Sequence, residues 1–249
     1  MATRRRGQLI DGVLLLDKPE GLSSNHALQR ARRTLDARKA GHTGTLDPFA
    51  TGLLVCCLGR ATKISATMLE ADKAYEATLA FGEETDSGDL TGNVTAQAAD
   101  FAGVAKDALE AALPAFRGPI SQVPPMYSAL KRDGKPLYEY ARQGIELERE
   151  ARCVVIHELT VLECTPRSAR LYVRCSKGTY IRTLAQDIGR ALGCYAHLSA
   201  LRRTELGPFN IDDAFSLDTL QAMEDPMSAL LAIESLPTEI LPKKLQSEG

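Results

Sequence analysis

Residues 41–58 read GHTGTLDPFATGLLVCCL. The first twelve place a single acid, Asp47, among three glycines, three threonines and a proline, and the last six are apolar without interruption. A run with Gly and Pro in it neither holds a regular helix nor packs a core, because Gly costs backbone entropy and Pro lacks an amide donor. Six apolar residues bounded by such a run have the length of a strand. The stretch therefore reads as a shaped loop that delivers the chain into an apolar strand over 53–58. Pro48 disfavours the helical conformation for Asp47 and presses it towards an extended one, so this carboxylate has less freedom of direction than an ordinary loop acid. Taken alone, an Asp-Pro in a loop is a turn residue bonding its own backbone. Only its surroundings can give Asp47 another use.

Working outward, residues 12–17 (GVLLLD) form a second short buried strand, and Ser23 or Ser24 is placed to cap a helix that runs to about residue 35. A helix is expected over 62–69. Residues 73–81 alternate, with Tyr75, Ala77, Leu79 and Phe81 on one face and Glu76 and Thr78 on the other. A polar, acidic turn region follows over 82–92, then an amphipathic helix over 103–116. After the break at Pro124-Pro125, residues 126–144 read as a strand, a turn at Asp133-Gly134 and a helix ending at Gly144. Residues 153–164 and 169–175 look like neighbouring strands, Leu171, Val173 and Cys175 sharing a face opposite Tyr172 and Arg174. Ile181, Leu184, Ile188 and Leu192 make one stripe of a helix over 179–192, with Thr179 near its start, and a further strand covers 197–206. This irregular alternation with hairpin-like links implies an α+β fold, a mixed or mainly antiparallel sheet with helices packed on it. The tail from about residue 208 is acidic, carries Pro226, Pro237 and Pro242, and reads as peripheral.

At 249 residues and 44% hydrophobic, the chain can bury one large core, with or without a small appendage. No stretch is long and apolar enough to span a bilayer, and MATRRRGQLIDG has the positive flank of a signal peptide without the apolar stretch that should follow, so a cytoplasmic location is expected. Six cysteines without a C-x-x-C pair and four histidines without H-x-x-x-H spacing indicate neither zinc nor a disulfide framework; cysteines in runs such as LLVCCLG and RLYVRCS are read as core. The G-x-x-x-x-G-K-[ST] loop of nucleoside triphosphatases and the G-x-G-x-x-G of dinucleotide folds are both missing.

Charge is segregated beneath a net of −2. Residues 1–46 hold nine Lys or Arg against four acids, and residues 167–203 hold eight against one, whereas 70–110 hold ten acids against two Lys and 212–249 eight against two. Two basic stretches far apart in a chain of acidic total point to a joint positive surface and a polyanionic partner. Aromatics interleave the second, as in Lys177-Gly178-Thr179-Tyr180-Ile181-Arg182, which favours nucleic acid over a membrane surface.

Five motifs, in this order, carry a resemblance: Asp17-Lys18-Pro19-x-Gly21-x-Ser23-Ser24, GHTGTLDPFATG, Asp72-Lys73-x-Tyr75, Ser128-Ala129-Leu130-Lys131, and Cys175-Ser176-Lys177-Gly178-Thr179-Tyr180-Ile181-Arg182. Over about residues 8–207 the chain resembles the TruB family of tRNA pseudouridine synthases. The resemblance implies the pseudouridine synthase fold, a long mixed, mostly antiparallel sheet with flanking helices and a central cleft. It implies isomerisation of uridine 55 in the T-loop of tRNA, with the T-arm as partner, no cofactor, no metal and a monomeric enzyme. Many bacterial members continue into an RNA-binding PUA or related domain; here residues 208–249 are expected to be an acidic extension without a complete one, which leaves the grip on the tRNA acceptor end unassigned.

The same resemblance assigns roles. Asp47 corresponds to the catalytic aspartate, and Arg182 pairs with it and holds its charge and orientation. Tyr75 corresponds to the tyrosine that stacks on the target uracil and can take the C5 proton, although its parity on the strand also suits a buried ring. Tyr180 and Leu201 match substrate-contacting positions, and His42 matches a loop histidine that meets the RNA. Lys18, Lys63, Lys131, Arg202 and Arg203 serve either phosphates or the fold. The chemistry suits these residue types: breaking C1′–N1 builds positive charge on the sugar, which an ionised carboxylate stabilises or captures, and an ordinary Asp, with a pKa of about 3.9, is ionised at neutral pH. The rival readings are an RNA-binding module without chemistry, a nucleobase-excising enzyme, and the catalytic subunit of a guide-RNA pseudouridylation complex.

Overall fold

The structure, a computed structural model, describes residues 7–246. Arg4, Arg5 and Arg6 of the first basic stretch, and residues 247–249 of the acidic tail, lie outside the described residues. In chain order the elements are β1 (Gly12–Lys18), α1 (Ser24–Thr34), β2 (Ala40–Thr43), β3 (Thr51–Leu58), α2 (Ser65–Glu70), β4 (Lys73–Phe81), β5 (Glu83–Thr85), β6 (Val94–Gln97), α3 (Lys106–Ala112), β7 (Gly118–Gln122), β8 (Lys131–Arg132), β9 (Lys135–Pro136), α4 (Leu137–Ala141), β10 (Arg152–Cys164), β11 (Ser168–Cys175), α5 (Ile181–Ala191), β12 (Ala196–Leu206), β13 (Phe209–Asn210), β14 (Phe215–Ser216), α6 (Leu217–Ala222), β15 (Leu230–Leu231) and α7 (Lys243–Gln246). Several are separated by short 3-10 turns. The fold is α+β, and most strand pairs are antiparallel. Two compact units divide the chain, one formed by Met1–Ala74 with Arg202–Gly249 and the other by Tyr75–Leu201, with the boundaries inside β4 and β12.

In the first unit β3 is the hub. It pairs antiparallel with β1 from Gly12↔Leu58 to Lys18↔Gly52. Its other edge takes β2, antiparallel at residues 55–58, and then β12, parallel at Arg202↔Thr51 and Arg203↔Gly52. Both faces of this sheet are covered, which is why β1 and β3 read as continuous apolar runs rather than alternating ones. Leu14, Leu16, Leu54 and Cys56 pack with Ala27, Leu28 and Ala31 of α1 and with Leu217 and Leu220 of α6. On the opposite face Val13, Leu15, Leu53, Val55 and Cys57 pack with Ile64, Met68, Leu206 and Phe209. Burial pushes the thiols of both cysteines up, that of Cys57 to about 12.

The tail is not peripheral. β14 and β15 pair with the outer edge of β1, and Ile233, Leu236, Ile240 and Leu245 enter the second of these cores. Its acids dominate its charge, but its apolar residues recur at spacings that short turns can bury.

In the second unit the strand order is β12–β4–β11–β10–β7. β10 and β11 form a long antiparallel pair with two irregularities, and β7 lines the other edge of β10. Tyr75, Ala77, Leu79 and Phe81 of β4 are buried, as are Leu171, Val173 and Cys175 of β11, in keeping with their alternation. Helix α5 buries Ile181, Leu184, Ala185 and Ile188. At Gly189 it approaches the start of β12 so closely that a Cβ would collide with the backbone of Tyr195 and Ala196.

Two expectations need correction here. The helix read over 103–116 is only Lys106–Ala112 followed by a 3-10 turn at Leu113–Phe116, because Pro114 cannot continue an α-helical ladder. Cys153 is exposed and Cys164 half-buried, while the other four cysteines are core; β10 lets residues near its ends face water.

Candidate active site

The loop between β2 and β3 is held from several sides within the first unit. At its start the Gly44 carbonyl accepts from Arg203 Nη2 at 3.0 Å. Leu46 is buried, and both of its backbone groups bond the hydroxyl of Ser24, the first residue of α1: its N–H donates to Ser24 Oγ at 2.8 Å and its carbonyl accepts from it at 3.0 Å. Beyond Asp47, the Pro48 carbonyl accepts from the Gly21 amide at 2.8 Å and from Lys18 Nζ at 3.3 Å. The Asp47 carbonyl closes a turn with the Ala50 amide at 3.1 Å. Asp47 itself is half-buried. The Asp17-to-Ser24 motif and the loop motif are thus two halves of one clamp.

The basic residues left open between fold and phosphate divide cleanly. Lys18 is fully buried and also donates to the Leu22 and Pro19 carbonyls at 2.7 and 2.9 Å. Burial pulls its pKa down to about 8, while the nearby Asp47 carboxylate acts in the opposite direction. Arg203 is buried too, its Nε donating to the Leu53 carbonyl at 2.7 Å. Arg202 forms a two-bond pair with Asp17 at 3.0 and 2.8 Å. Lys18 and Arg203 thus serve the fold, and Arg202 is paired while its side chain stays 40% exposed. Lys63 and Lys131 are exposed and remain the ones suited to solvent or phosphate. His42 lies in β2 opposite Cys56 rather than in the loop, since the strand pairing reaches Thr43. Its Nδ1 is buried and makes no hydrogen bond among the described residues. Burial, helped by the Arg203 charge, holds its pKa below the usual imidazole value.

The second unit carries the remaining candidates. Arg182 is not the surface arginine that its spacing alone suggests; it is 5% exposed. Its guanidinium donates to the Ser87 carbonyl at 2.7 Å and the Tyr127 carbonyl at 2.6 Å, and Nη1 lies 3.9 Å from the buried carboxylate of Asp89. One oxygen of Asp89 accepts from Ser87 Oγ at 2.8 Å, the Thr91 amide at 2.9 Å and Thr91 Oγ1 at 2.6 Å. Asp89 escaped the sequence reading because it sits in a run of acids; its signal is the hydroxyl residue two places to either side. Tyr180 is half-buried at the N-cap of α5, and its amide and carbonyl both bond the Gln122 side chain, at 3.1 and 3.3 Å. Nothing in the sequence marks Gln122, which is 2% exposed. Thr179 lies one residue before this N-cap, near the helix start as expected, and its hydroxyl donates to the Ser176 carbonyl at 2.9 Å. Tyr75 and Leu201 are buried at 9% and 8% exposure.

A cavity of about 550 Å³ opens in this unit beside Thr183, Gln186 and Arg190 of α5 and contains none of the candidate residues. Among the described residues no group of three His, Cys, Asp or Glu side chains is placed to hold a metal ion, and no helix is long and apolar enough to cross a membrane.

Comparison with known proteins matches residues 32–181 to the TruB family pseudouridylate synthase N-terminal domain and residues 182–241 to the tRNA pseudouridylate synthase B C-terminal domain. The tRNA pseudouridine synthase B of Bordetella avium (strain 197N) is 71% identical over 240 residues, which cover 96% of this chain and 98% of that protein. That of Bordetella pertussis (strain Tohama I) is 69% identical with the same coverage. Among solved structures, a chain of a Cbf5-Nop10-Gar1 complex superposes with a TM-score of 0.70 at 31% identity, covering 90% of this chain and 60% of that one. Shared fold, matched domains and identity over nearly the full length agree: the chain belongs to the TruB family of tRNA pseudouridine synthases.

Proposed function

We propose that this protein isomerises uridine 55 in the T-loop of tRNA to pseudouridine, with Asp47 as the catalytic carboxylate. The observation that carries the reading is the clamp on either side of Asp47, in which Leu46 and Pro48 are both fixed through their backbone groups. A turn aspartate of the ordinary kind needs no such support. A group that must meet one atom of a substrate does.

The reaction breaks the bond between ribose C1′ and uracil N1, turns the base, and joins C1′ to C5; the proton on C5 departs and N1 gains one, so atoms balance without a cofactor. Three routes use the carboxylate: attack on C1′, attack on C6 of the base, or removal of the C2′ proton. Each needs it ionised. Arg182 is the cation proposed to keep it so, Tyr75 the ring that stacks on the uracil and receives the C5 proton, and Tyr180, Leu201 and His42 the substrate contacts. Access to a stacked uridine requires its extrusion, which costs a few kcal/mol and is offset by stacking and phosphate contacts. On this reading residues 8–207 are the catalytic part, 208–249 an extension, and the enzyme works as a cytoplasmic monomer on the T-arm.

Asp47→Asn tests the proposal on an unmodified T-arm hairpin tritiated at uridine C5. Tritium release is expected to vanish while RNA affinity stays within about a few fold, since phosphate contacts dominate binding. Undiminished release defeats the assignment. Free uracil among the products would instead indicate base excision.

A further inference from the structure

We propose that Ser24 is a positioning residue for the reaction, its hydroxyl fixing Leu46 and so the backbone from which the Asp47 carboxylate is presented; the inference rests on the reading of Asp47 given above. The sequence offers two serines at the start of α1, and the structure gives them different tasks. Ser23 is the N-cap, its side chain accepting from the His26 amide at 3.2 Å. Ser24 takes no part in capping. It is 1% exposed, and its Oγ spans both backbone groups of Leu46, accepting from the N–H at 2.8 Å and donating to the carbonyl at 3.0 Å. Leu46 belongs to no strand, lying between the end of β2 at Thr43 and the start of β3 at Thr51. One hydroxyl, with a single donor and two acceptor sites, therefore does for this residue what a neighbouring strand does elsewhere.

The anchor is rigid. Ala27, Leu28 and Ala31 hold α1 in the core of the first unit, and the Leu46 side chain is itself buried at 3% exposure. Removing the hydroxyl leaves a buried amide and a buried carbonyl unpaired, and the loop must shift to find them partners. A shift there moves the carboxylate one residue on.

Single-turnover tritium release and tRNA affinity, measured side by side on the full chain for Ser24→Ala, Ser24→Cys and Asp47→Asn, test this. Ser24→Ala is expected to slow release by about 10- to 100-fold, with the tRNA dissociation constant within about twofold of wild type, the scale set by a displacement of about an ångström. Amide exchange at Leu46 speeds up while the interior of α1 stays protected. Ser24→Cys keeps the shape but bonds weakly, so its rate falls between; where the alanine variant does not fold, it carries the test. A folded Ser24 variant with the wild-type rate, or one losing rate and affinity together, overturns the role of Ser24. Inactive Asp47→Asn beside a fully active Ser24→Ala leaves the reading of Asp47 standing, whereas a fully active Asp47→Asn removes both.

Discussion

Asp47 could be singled out from sequence because its neighbours are conformationally unusual: a proline after it and glycines on both sides declare a shaped loop. What shapes it was not legible. The clamp uses backbone carbonyls and amides, which carry no residue-type signal, and the side chains that reach them come from two distant places in the chain, Lys18 and Ser24 from one motif and Arg203 from β12. His42 offers a residue-scale prediction. Burial and the Arg203 charge depress its pKa in the folded state, whereas the unfolded chain titrates near 6.5. Between the two values the unfolded state binds more protons, so the associated stability is present above about 6.5 and is lost as the pH falls through the folded value. Urea melts of His42→Asn should therefore show a shallower loss of stability on acidification below about 6.5 than the wild type. Parallel curves would remove the argument.

At the scale of elements, β1, β3, β4 and β11 were legible because each carries a periodicity set by its burial: unbroken where two faces are covered, alternating where one is. The helix over 103–116 was overread, since amphipathic spacing continues across a proline that the backbone cannot ignore. The meeting of β3 and β12 was invisible, although a glycine marks it. Gly52 has φ +100°, and a Cβ there would run into the Arg203 carbonyl oxygen. Gly52→Ala is expected to destabilise the fold by about 1–3 kcal/mol or more. Chemical denaturation measures it, and an unchanged midpoint would show that the two strands can part without cost.

For the whole molecule the charge pattern says more than the net charge, because two basic stretches in an acidic chain point to a polyanion. The division into two units was not readable, because both boundaries lie inside strands whose sequence runs on unchanged. The burial of Lys18, Arg182 and Arg203, with the pairing of the half-exposed Arg202 to Asp17, also means that fewer cations are free to face solvent than the sequence count implies. Even so, tRNA affinity should fall as salt rises, with a log–log slope of about −0.9 for each duplex phosphate neutralised. A flat titration to a few hundred millimolar would contradict the basic surface.

The tail matters for a reason separate from catalysis. β15 covers Val13 and Leu14, and β14 covers Leu16 and Asp17, on the side of β1 away from β3. Without those two short covers, one of the most hydrophobic segments of the chain would offer open amides and carbonyls to any other extended chain, the usual template for fibril growth. The segment that looked like an appendage is thus also what keeps neighbouring copies from adding themselves to the sheet.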